Sequence, residues 1–250
     1  MLPGLYSAAT ALNAFQVKLD AAANNFANVN TNSFKRSTVE FQDLLYAGPT
    51  NQQVGRGVRV SDVSLRDFRD GPAVQTGKDL DLLIEGKGFF AVKESDGRTA
   101  YTRDGAFHRD ATGRMVTDNG AILQPPITFP IDTLTTTIDS DGTVSVLTGS
   151  SPSTQRVIGQ ITVARFANPE GLRAELGNRY SETSASGLPI TAVPGTNAAG
   201  ALRQRTLEQS NVDTTSELTS LISAQRAYGV NSRVVRAADQ LISSALDTIR

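Results

Sequence analysis

Both ends of the chain carry the same apolar repeat, and this repeat constrains the fold more than any other feature. Apolar residues recur at alternating steps of three and four from Leu2 to Phe26, and again from Leu218 to Ile249. Such a stripe lies along one side of an α-helix, and another helix has to cover it because a helix cannot bury its own stripe. The sequence therefore predicts N- and C-terminal helices paired as a coiled-coil-like hairpin, the first from about Gly4 to about Asn28.

The apolar stripes also predict an assembly seam. Its predicted residues are Leu5, Leu12, Leu19, Phe26, Leu218, Leu221, Tyr228, Val235, Ile242, Leu246 and Ile249. Polar residues interrupt the second stripe at Gln225, Ser232 and Asp239, and polar seam positions weaken a simple dimer but can specify register. An intramolecular helix pair and a surface that packs against other subunits are both open interpretations, and the two are compatible.

Between the helices the pattern changes to short strand-like runs. They are separated by dipeptides typical of hairpin turns, namely Asp96-Gly97, Asp104-Gly105, Thr112-Gly113, Asn119-Gly120 and Asp141-Gly142. The predicted fold class is therefore α+β, with a mostly antiparallel, all-β central body. We expect three regions: a terminal helical core over residues 1–30 plus 212–250, an extended arm and loop over 31–70, and a β-rich body over 71–211.

Composition limits the classes of function. The chain has 24 basic and 25 acidic residues, so no net field attracts nucleic acid. No run approaches the roughly 20 apolar residues of a membrane span, and the N-terminus lacks the uninterrupted apolar segment of a cleaved signal peptide. We expect no nucleic-acid partner, no direct membrane insertion and no leader.

Catalytic and metal-binding patterns have little support. His108 is the single histidine and there is no cysteine, which excludes a multi-histidine metal site and thiolate chemistry. Residues 139–143 begin like a calcium loop, but the glycine is misplaced and the twelfth position is Ser150, so a hairpin turn is favoured. We predict no catalytic, cofactor-binding or metal site, and no enzyme activity.

Short motifs along the whole chain resemble those of one family. Residues 23–31 and 33–36 resemble the ANNLANVNT-x-GFKR signature of bacterial flagellar rod and hook proteins, and residues 207–212 and 223–228 resemble its LExSNV and QRAY elements. Residues 84–90 and 101–107 look like motifs of the family's body. The resemblance marks a joint motif between helix and body, whose residues are Asn24, Asn25, Asn28, Thr31, Phe34 and Lys35.

Within that family, residues 41–46 resemble the FxDLLY run of the distal-rod protein. The chain departs from the pattern in four places. Ser33 stands where the family commonly has glycine, Phe26 where it has leucine and Gly229 where it has glutamate. The passage over residues 47–57 is shorter than the insertion that often helps to make the distal rod straight and stiff. A distal-rod protein is favoured, and a proximal-rod protein stays open. A soluble β-rich binding module dimerised by its helices is the alternative from another class.

The resemblance implies a role and a set of partners. Proteins of this family form a homo-oligomeric helical tube of the flagellar basal body, which crosses the periplasm, transmits torque and encloses the export channel. The implied partners are other rod proteins and the hook protein, the outer ring (bushing) proteins and the flagellar type III export apparatus. Export through that apparatus needs no cleaved signal peptide.

Overall fold

The computed structural model describes residues 3–47, 53–60, 65–149 and 155–248. Two long helices lie at the ends of the described chain, α1 over Pro3–Ala27 and α2 over Thr214–Thr248, and they pack against each other. The centre is built of antiparallel strands. The predicted α+β class, with terminal helices that pair and an antiparallel β-rich body, is confirmed.

The described residues between the helices form twenty strands and one short 3-10 helix, Pro169–Gly171. The strands are β1 Ser37–Thr38, β2 Phe41–Ala47, β3 Gln53–Val60, β4 Leu65–Arg66, β5 Ala73–Gln75, β6 Leu82–Glu85, β7 Phe89–Lys93, β8 Thr99–Thr102, β9 Phe107–Arg109, β10 Met115–Thr117, β11 Ile122–Gln124, β12 Thr133–Ile138, β13 Thr143–Thr148, β14 Gln155–Gln160, β15 Val163–Arg165, β16 Arg173–Glu175, β17 Arg179–Ser181, β18 Ile190–Ala192, β19 Ala201–Gln204 and β20 Thr206–Glu208.

The largest sheet has nine strands and follows the order β16-β17-β8-β7-β11-β10-β9, with β15 pairing to β7 and β18 pairing to β15. Three strands form the sheet β12-β13-β14. The remaining strands pair two by two, as β1 with β4, β2 with β3, β5 with β20, and β6 with β19. A turn at Asp139–Gly142 connects β12 to β13, and it is closed by a hydrogen bond from the Gly142 amide to the Asp139 carbonyl.

The chain divides into two compact units. The helical unit consists of Met1–Val29, Arg36–Asp67 and Val212–Arg250, and the body unit consists of Asn30–Lys35 and Phe68–Asn211. Of the arm predicted over residues 31–70, the part from Arg36 to Asp67 clusters with the helices. The chain therefore passes from one unit to the other after residues 29, 35, 67 and 211.

Two apolar clusters fill the body unit on either side of β7. Alternate residues of a strand point to opposite faces, so Phe90 enters the larger cluster while Phe89 enters the smaller one. In the larger cluster the Phe90 and Phe107 rings meet edge to face, with centroids 5.1 Å apart. Leu82, Phe90, Met115, Leu123 and Val144 have no exposed surface, which makes this the most densely buried part of the described chain.

The helical unit is packed differently. The hairpin of β2 and β3 lies against α1, where the Phe15 and Phe41 rings meet edge to face at 5.8 Å and the Val58 amide donates to Thr10 Oγ1 over 3.2 Å. The predicted extended arm is thus a hairpin over these residues. The tip of its loop, residues 48–52, lies outside the described residues, so the effect of the short 47–57 passage on rod stiffness stays a prediction.

Candidate assembly surface and joint

The predicted seam positions occupy two kinds of environment. Leu5, Leu12, Leu19, Leu221 and Val235 are half-buried. Exposed positions are Phe26 at 40%, Leu218 at 42%, Tyr228 at 37% and Ile242 at 40%. Leu246 lies near the end of α2, and Ile249 lies outside the described residues. One copy of the chain therefore covers only part of the predicted seam, and its role in assembly stays a proposal.

The fully buried side chains of the two helices are small or polar. They are Ala8, Ala14, Ala22 and Asn25 in α1, and Glu217 and Ala224 in α2. Helices whose contacts are made by alanine can approach closely, but they bury little apolar surface in doing so. Consequently the larger apolar side chains stay available to a further partner.

A second apolar stripe runs along α2 and was not predicted as part of the seam. We define the α2 stripe as Ile222, Val230, Val234 and Leu241, which are exposed by 47%, 51%, 48% and 70%. Steps of eight, four and seven residues keep them on one side of a helix. Single exposed apolar residues are ordinary, whereas several on one side of a helix favour an interaction surface.

Helix α1 offers a surface of the same character. Its charged residues are Lys18 and Asp20, and Tyr6, Val17 and Phe26 are 46%, 37% and 40% exposed. Lys18 Nζ lies 5.6 Å from the centroid of the Phe41 ring, and this cation–π contact partly stabilises the charge of the ammonium group. A nearly uncharged helix with exposed apolar side chains is suited to packing against other helices.

The asparagines of the joint motif have different environments although they are close in sequence. Asn25 is 1% exposed and pairs with the backbone of Ser37: its Nδ2 donates to the Ser37 carbonyl over 2.9 Å, and its Oδ1 accepts from the Ser37 amide over 2.9 Å. Asn28 Nδ2 donates to the Asn24 carbonyl over 2.8 Å at the end of α1. The Asn24 side chain is exposed. Asn25 therefore attaches the first strand to the first helix.

The remaining joint residues lie in the body unit. Thr31 is half-buried, and its carbonyl accepts from the Phe34 amide over 3.3 Å. Phe34 is 4% exposed and Lys35 has no exposed surface. Lys35 Nζ donates to Glu208 Oε1 over 2.6 Å and to the Arg69 carbonyl over 2.8 Å. Burial lowers the pKa of Lys35, and the attraction of the Glu208 carboxylate opposes that shift.

Glu208 and Arg103 are buried charged residues that the sequence analysis did not single out, although both lie in family-like motifs. They are 1% and 3% exposed, and Arg103 Nε donates to Glu208 Oε2 over 3.2 Å. Ser33 joins them: it adopts a φ of 55°, and its hydroxyl donates to the Arg103 carbonyl over 2.9 Å. The structure thus brings the end of the joint motif to one buried ion cluster.

A cavity of about 510 Å³ opens elsewhere on the body, lined by Glu94, Arg98, Tyr101, Glu182 and seven further residues. The Tyr101 hydroxyl lies 3.4 Å from Glu182, and burial raises the pKa of Tyr101 to about 12, so this phenol stays protonated at neutral pH. His108 lies apart on β9, with Nδ1 3.4 Å from the Asp118 carboxylate. Because it keeps its proton, the Tyr101 hydroxyl acts as a hydrogen-bond donor and not as a base.

Two further observations apply to the part of the chain that the structure describes. It holds no group of three or more histidine or acidic side chains placed to bind a metal ion. Neither of its helices is sufficiently apolar over a membrane-spanning length.

Comparison with known proteins matches the two ends and the body separately. Residues 5–35 match the family model described as flagella basal body rod protein. Residues 83–146 match that of the flagellar hook protein FlgE/F/G D1 domain, and residues 203–248 that of the flagellar basal body rod FlgEFG protein C-terminal. The three matches follow the order of α1, body and α2.

Curated relatives are similar over nearly the whole chain. The flagellar basal-body rod protein FlgG of Caulobacter vibrioides is 42% identical over 97% of this chain and 98% of its own length. FlgG of Bacillus subtilis is 37% identical over 100% of both chains. The flagellar hook protein FlgE of Helicobacter pylori is 33% identical over 74% of this chain, but over 28% of its own length.

Proposed function

Because this chain belongs to the family of flagellar basal-body rod proteins of the FlgG type, we propose that it polymerises with copies of itself through its two terminal helices. It is a structural subunit of the basal-body rod, with the distal rod favoured over the proximal rod. Similarity over the full length does not favour a soluble binding module. In the proposed tube, the subunits transmit torque through the cell envelope and enclose the export channel.

The α2 stripe is the observation that carries this proposal. Four apolar side chains along one side of a helix lose exposed area only if another molecule covers them, and burial of apolar area stabilises a complex by about 25 cal/mol per Å². The stripe lies on α2 alone, whereas the predicted seam lies on both helices. Two different surfaces that meet between neighbours make a heterologous contact, which produces an open-ended filament instead of a closed dimer.

The test replaces one stripe residue and uses its sequence neighbour as a control. Leu241→Asp places a charge in the α2 stripe, while Gln240→Asp places the same charge on an exposed polar position of the same helix. We expect Leu241→Asp to prevent filament growth and motility while the circular dichroism of the monomer is unchanged. We expect Gln240→Asp to assemble. Normal assembly of a folded Leu241→Asp variant would remove the stripe from the interface.

The proposed partners are further copies in the tube, other rod proteins and the hook protein, the outer ring (bushing) proteins and the flagellar type III export apparatus. Support comes from the rod models that match both ends and from the shared region with a hook protein. We propose a periplasmic location in the basal body, reached without a cleaved signal peptide, and a structural role without catalysis. Density at the straight rod segment inside the outer rings, in electron cryomicroscopy of basal bodies, would test the location.

A further inference from the structure

One buried carboxylate contacts several distant parts of the body unit. Glu208 lies at the end of β20 with 1% of its surface exposed. Its Oε1 accepts from Lys35 Nζ over 2.6 Å and from the Gly71 amide over 2.8 Å, and its Oε2 accepts from Arg103 Nε over 3.2 Å. Lys35 and Glu208 are 173 residues apart in sequence. The carboxylate thus holds three separate segments of the chain at one point.

Arg103 extends these contacts. Its Nη1 donates to the carbonyls of Gly86 and Gly88 over 2.6 and 2.7 Å, and its Nη2 pairs with Asp70 Oδ1. Asp70 is half-exposed, and its Oδ2 accepts from the Gly86 amide over 3.1 Å. The four ionised side chains, two cationic and two anionic, balance in charge, which is the condition under which buried ions are tolerated.

Backbone hydrogen bonds join the same segments. The Ser33 amide donates to the Glu208 carbonyl over 2.8 Å, and the Asn211 amide donates to the Phe34 carbonyl over 3.3 Å. Asn211 Nδ2 also donates to the Arg69 carbonyl over 3.1 Å. We call residues 33–35, 69–71, Arg103 and 208–211 the clasp.

The clasp lies where the chain enters and leaves the body unit. Three of its parts adjoin points where the chain passes between the two units: residues 33–35 precede the crossing after residue 35, residues 69–71 follow the crossing after residue 67, and residues 208–211 precede the crossing after residue 211. Any force that travels along the chain between the units enters the body unit through these three connections or through the one after residue 29, which lies four residues before Ser33. A segment held alone would peel from the body one hydrogen bond at a time, whereas segments held by one carboxylate have to separate together.

We propose that Glu208 is a positioning residue for torque transmission, because it makes the chain segments that enter the body unit share force as one mechanical element. This inference rests on the proposed function, since only a rod subunit has to carry torque. Loss of one partner would leave the other buried charges uncompensated. Glu208→Gln keeps the shape of the side chain but removes the charge that Lys35 and Arg103 share.

Hydrogen exchange of the full-length monomer tests whether the clasp opens as a unit. In the unmodified chain, the amides of Ser33, Gly71 and Asn211 should exchange with one common dependence on denaturant. In Glu208→Gln all three should exchange at least about tenfold faster, as expected when a buried ion pair loses a partner. Glu85→Gln is the control, because Glu85 pairs with Arg203 over 2.6 Å in the same unit but both side chains are about half exposed.

Single-molecule pulling adds a mechanical readout. The chain has no cysteine, so handles can be attached only at cysteines introduced at Val29 and Thr214, which load the body unit through its first and last connections. We expect one rupture event, at a force that falls in Glu208→Gln and is unchanged in Glu85→Gln. Unrelated exchange of the three amides in the unmodified chain, or an unchanged rupture force in Glu208→Gln, would overturn the proposal.

Should Glu208→Gln fail to fold, the denaturant dependence of the unmodified chain still decides the question. Both measurements use the monomer, so they do not depend on assembly. A negative result with normal filaments would reject the clasp alone, and the Leu241→Asp experiment would separately decide the rod assembly.

Discussion

Ser33 combines an unfavourable backbone conformation with a favourable side-chain contact. Its φ of 55° lies in the left-handed region, which costs a non-glycine residue about 1 kcal/mol or more. Its buried hydroxyl donates to the Arg103 carbonyl, and a net contribution of about 1 kcal/mol is usual for such a bond. The two effects nearly cancel, so a serine is tolerated at this left-handed position.

Substitutions at Ser33 separate these effects. We expect Ser33→Ala to lower the free energy of unfolding by about 1 kcal/mol, because alanine keeps the strained backbone and loses the hydrogen bond. Ser33→Gly should stay within about 1 kcal/mol of the unmodified chain, since the lost hydrogen bond is offset by relief of the strain. Urea denaturation of both variants provides the measurement. Equal stability of Ser33→Ala and the unmodified chain would show that the hydroxyl contributes nothing.

Asp104 predicts a pH dependence. Burial raises the pKa of Asp104, although its hydrogen bond from the Ala106 amide acts in the opposite direction. The folded state then binds the proton more readily than the unfolded state, so the ionised carboxylate costs stability at neutral pH, and the cost disappears as the pH falls through the folded-state pKa. We expect Asp104→Asn to raise the melting temperature at neutral pH and to lose this advantage in acid.

Asp141 is the matched control because its shift has the opposite sign. Hydrogen bonds from the amide and hydroxyl of Thr143 lower the pKa of Asp141, so its stabilising effect is present at neutral pH and is lost as the pH falls. Asp141→Asn should therefore lower the melting temperature at neutral pH or leave it unchanged. A rise in both variants would point to net charge, not burial, as the cause.

At this scale the sequence identifies residues but not their contacts. Lys35 is predicted as a joint residue and Glu208 lies unmarked within another family-like motif, and nothing in a single sequence shows that the two side chains meet. Their pairing depends on long-range backbone hydrogen bonds between the segments that carry them, from the Ser33 amide to the Glu208 carbonyl and from the Asn211 amide to the Phe34 carbonyl. The same holds for Asn25, whose crowded asparagine neighbours look alike in sequence although it alone among Asn24, Asn25 and Asn28 is fully buried.

Among the elements, the connection between α1 and β1 depends on a single amide side chain. Asn25→Ala removes both hydrogen bonds to Ser37, and at about 1 kcal/mol for each bond we expect the free energy of unfolding to fall by about 2 kcal/mol. Asn24→Ala, one position away and exposed, should change it by less than about 0.5 kcal/mol. Urea denaturation followed by helical circular dichroism measures both. Similar losses in the two variants would indicate an effect of helix propensity instead.

The helices themselves follow from the sequence. The prediction from about Gly4 to about Asn28 compares with an observed α1 of Pro3–Ala27. Asp213 caps the start of α2, since the Ser216 amide donates to its Oδ1 over 2.7 Å. Turn chemistry is equally local, as at Asp141-Gly142. Local signals of this kind suffice for helix ends and hairpins.

The burial of the helix faces could not be predicted in the same way. An ideal straight helix drifts by about 20° for each heptad relative to a strict repeat of 3.5 residues. Over the 35 residues of α2 the drift accumulates to about a quarter of a turn, so a stripe read at seven-residue spacing leaves the buried face. The face of α2 that packs most closely on α1 buries Ala224, and small residues such as alanine and glycine are too weakly apolar to mark such a face in the sequence.

For the whole molecule, the two units should unfold separately. The fully buried apolar residues of the helical unit's described part are alanines and Val212, whereas the body unit buries phenylalanine, leucine and methionine. Burial of large apolar side chains dominates stability, so we expect calorimetry to show two transitions with the helical unit unfolding first. Asn25→Ala should lower only the first transition, and Ser33→Ala only the second. A single transition shifted by both variants would contradict this.

The two helices also stand at opposite ends of the sequence, and their contact closes the chain upon itself. For a flexible chain, the entropy of closing a loop grows with the logarithm of its length, and contacts between distant residues slow folding. Once the body unit has folded, the hydrogen bond from the Asn211 amide to the Phe34 carbonyl already holds together the segments that lead to α1 and α2. The loop that the helices have to close is then a few residues long instead of nearly the whole chain. We therefore expect the helical pair, and with it the proposed assembly surface, to form after the body unit.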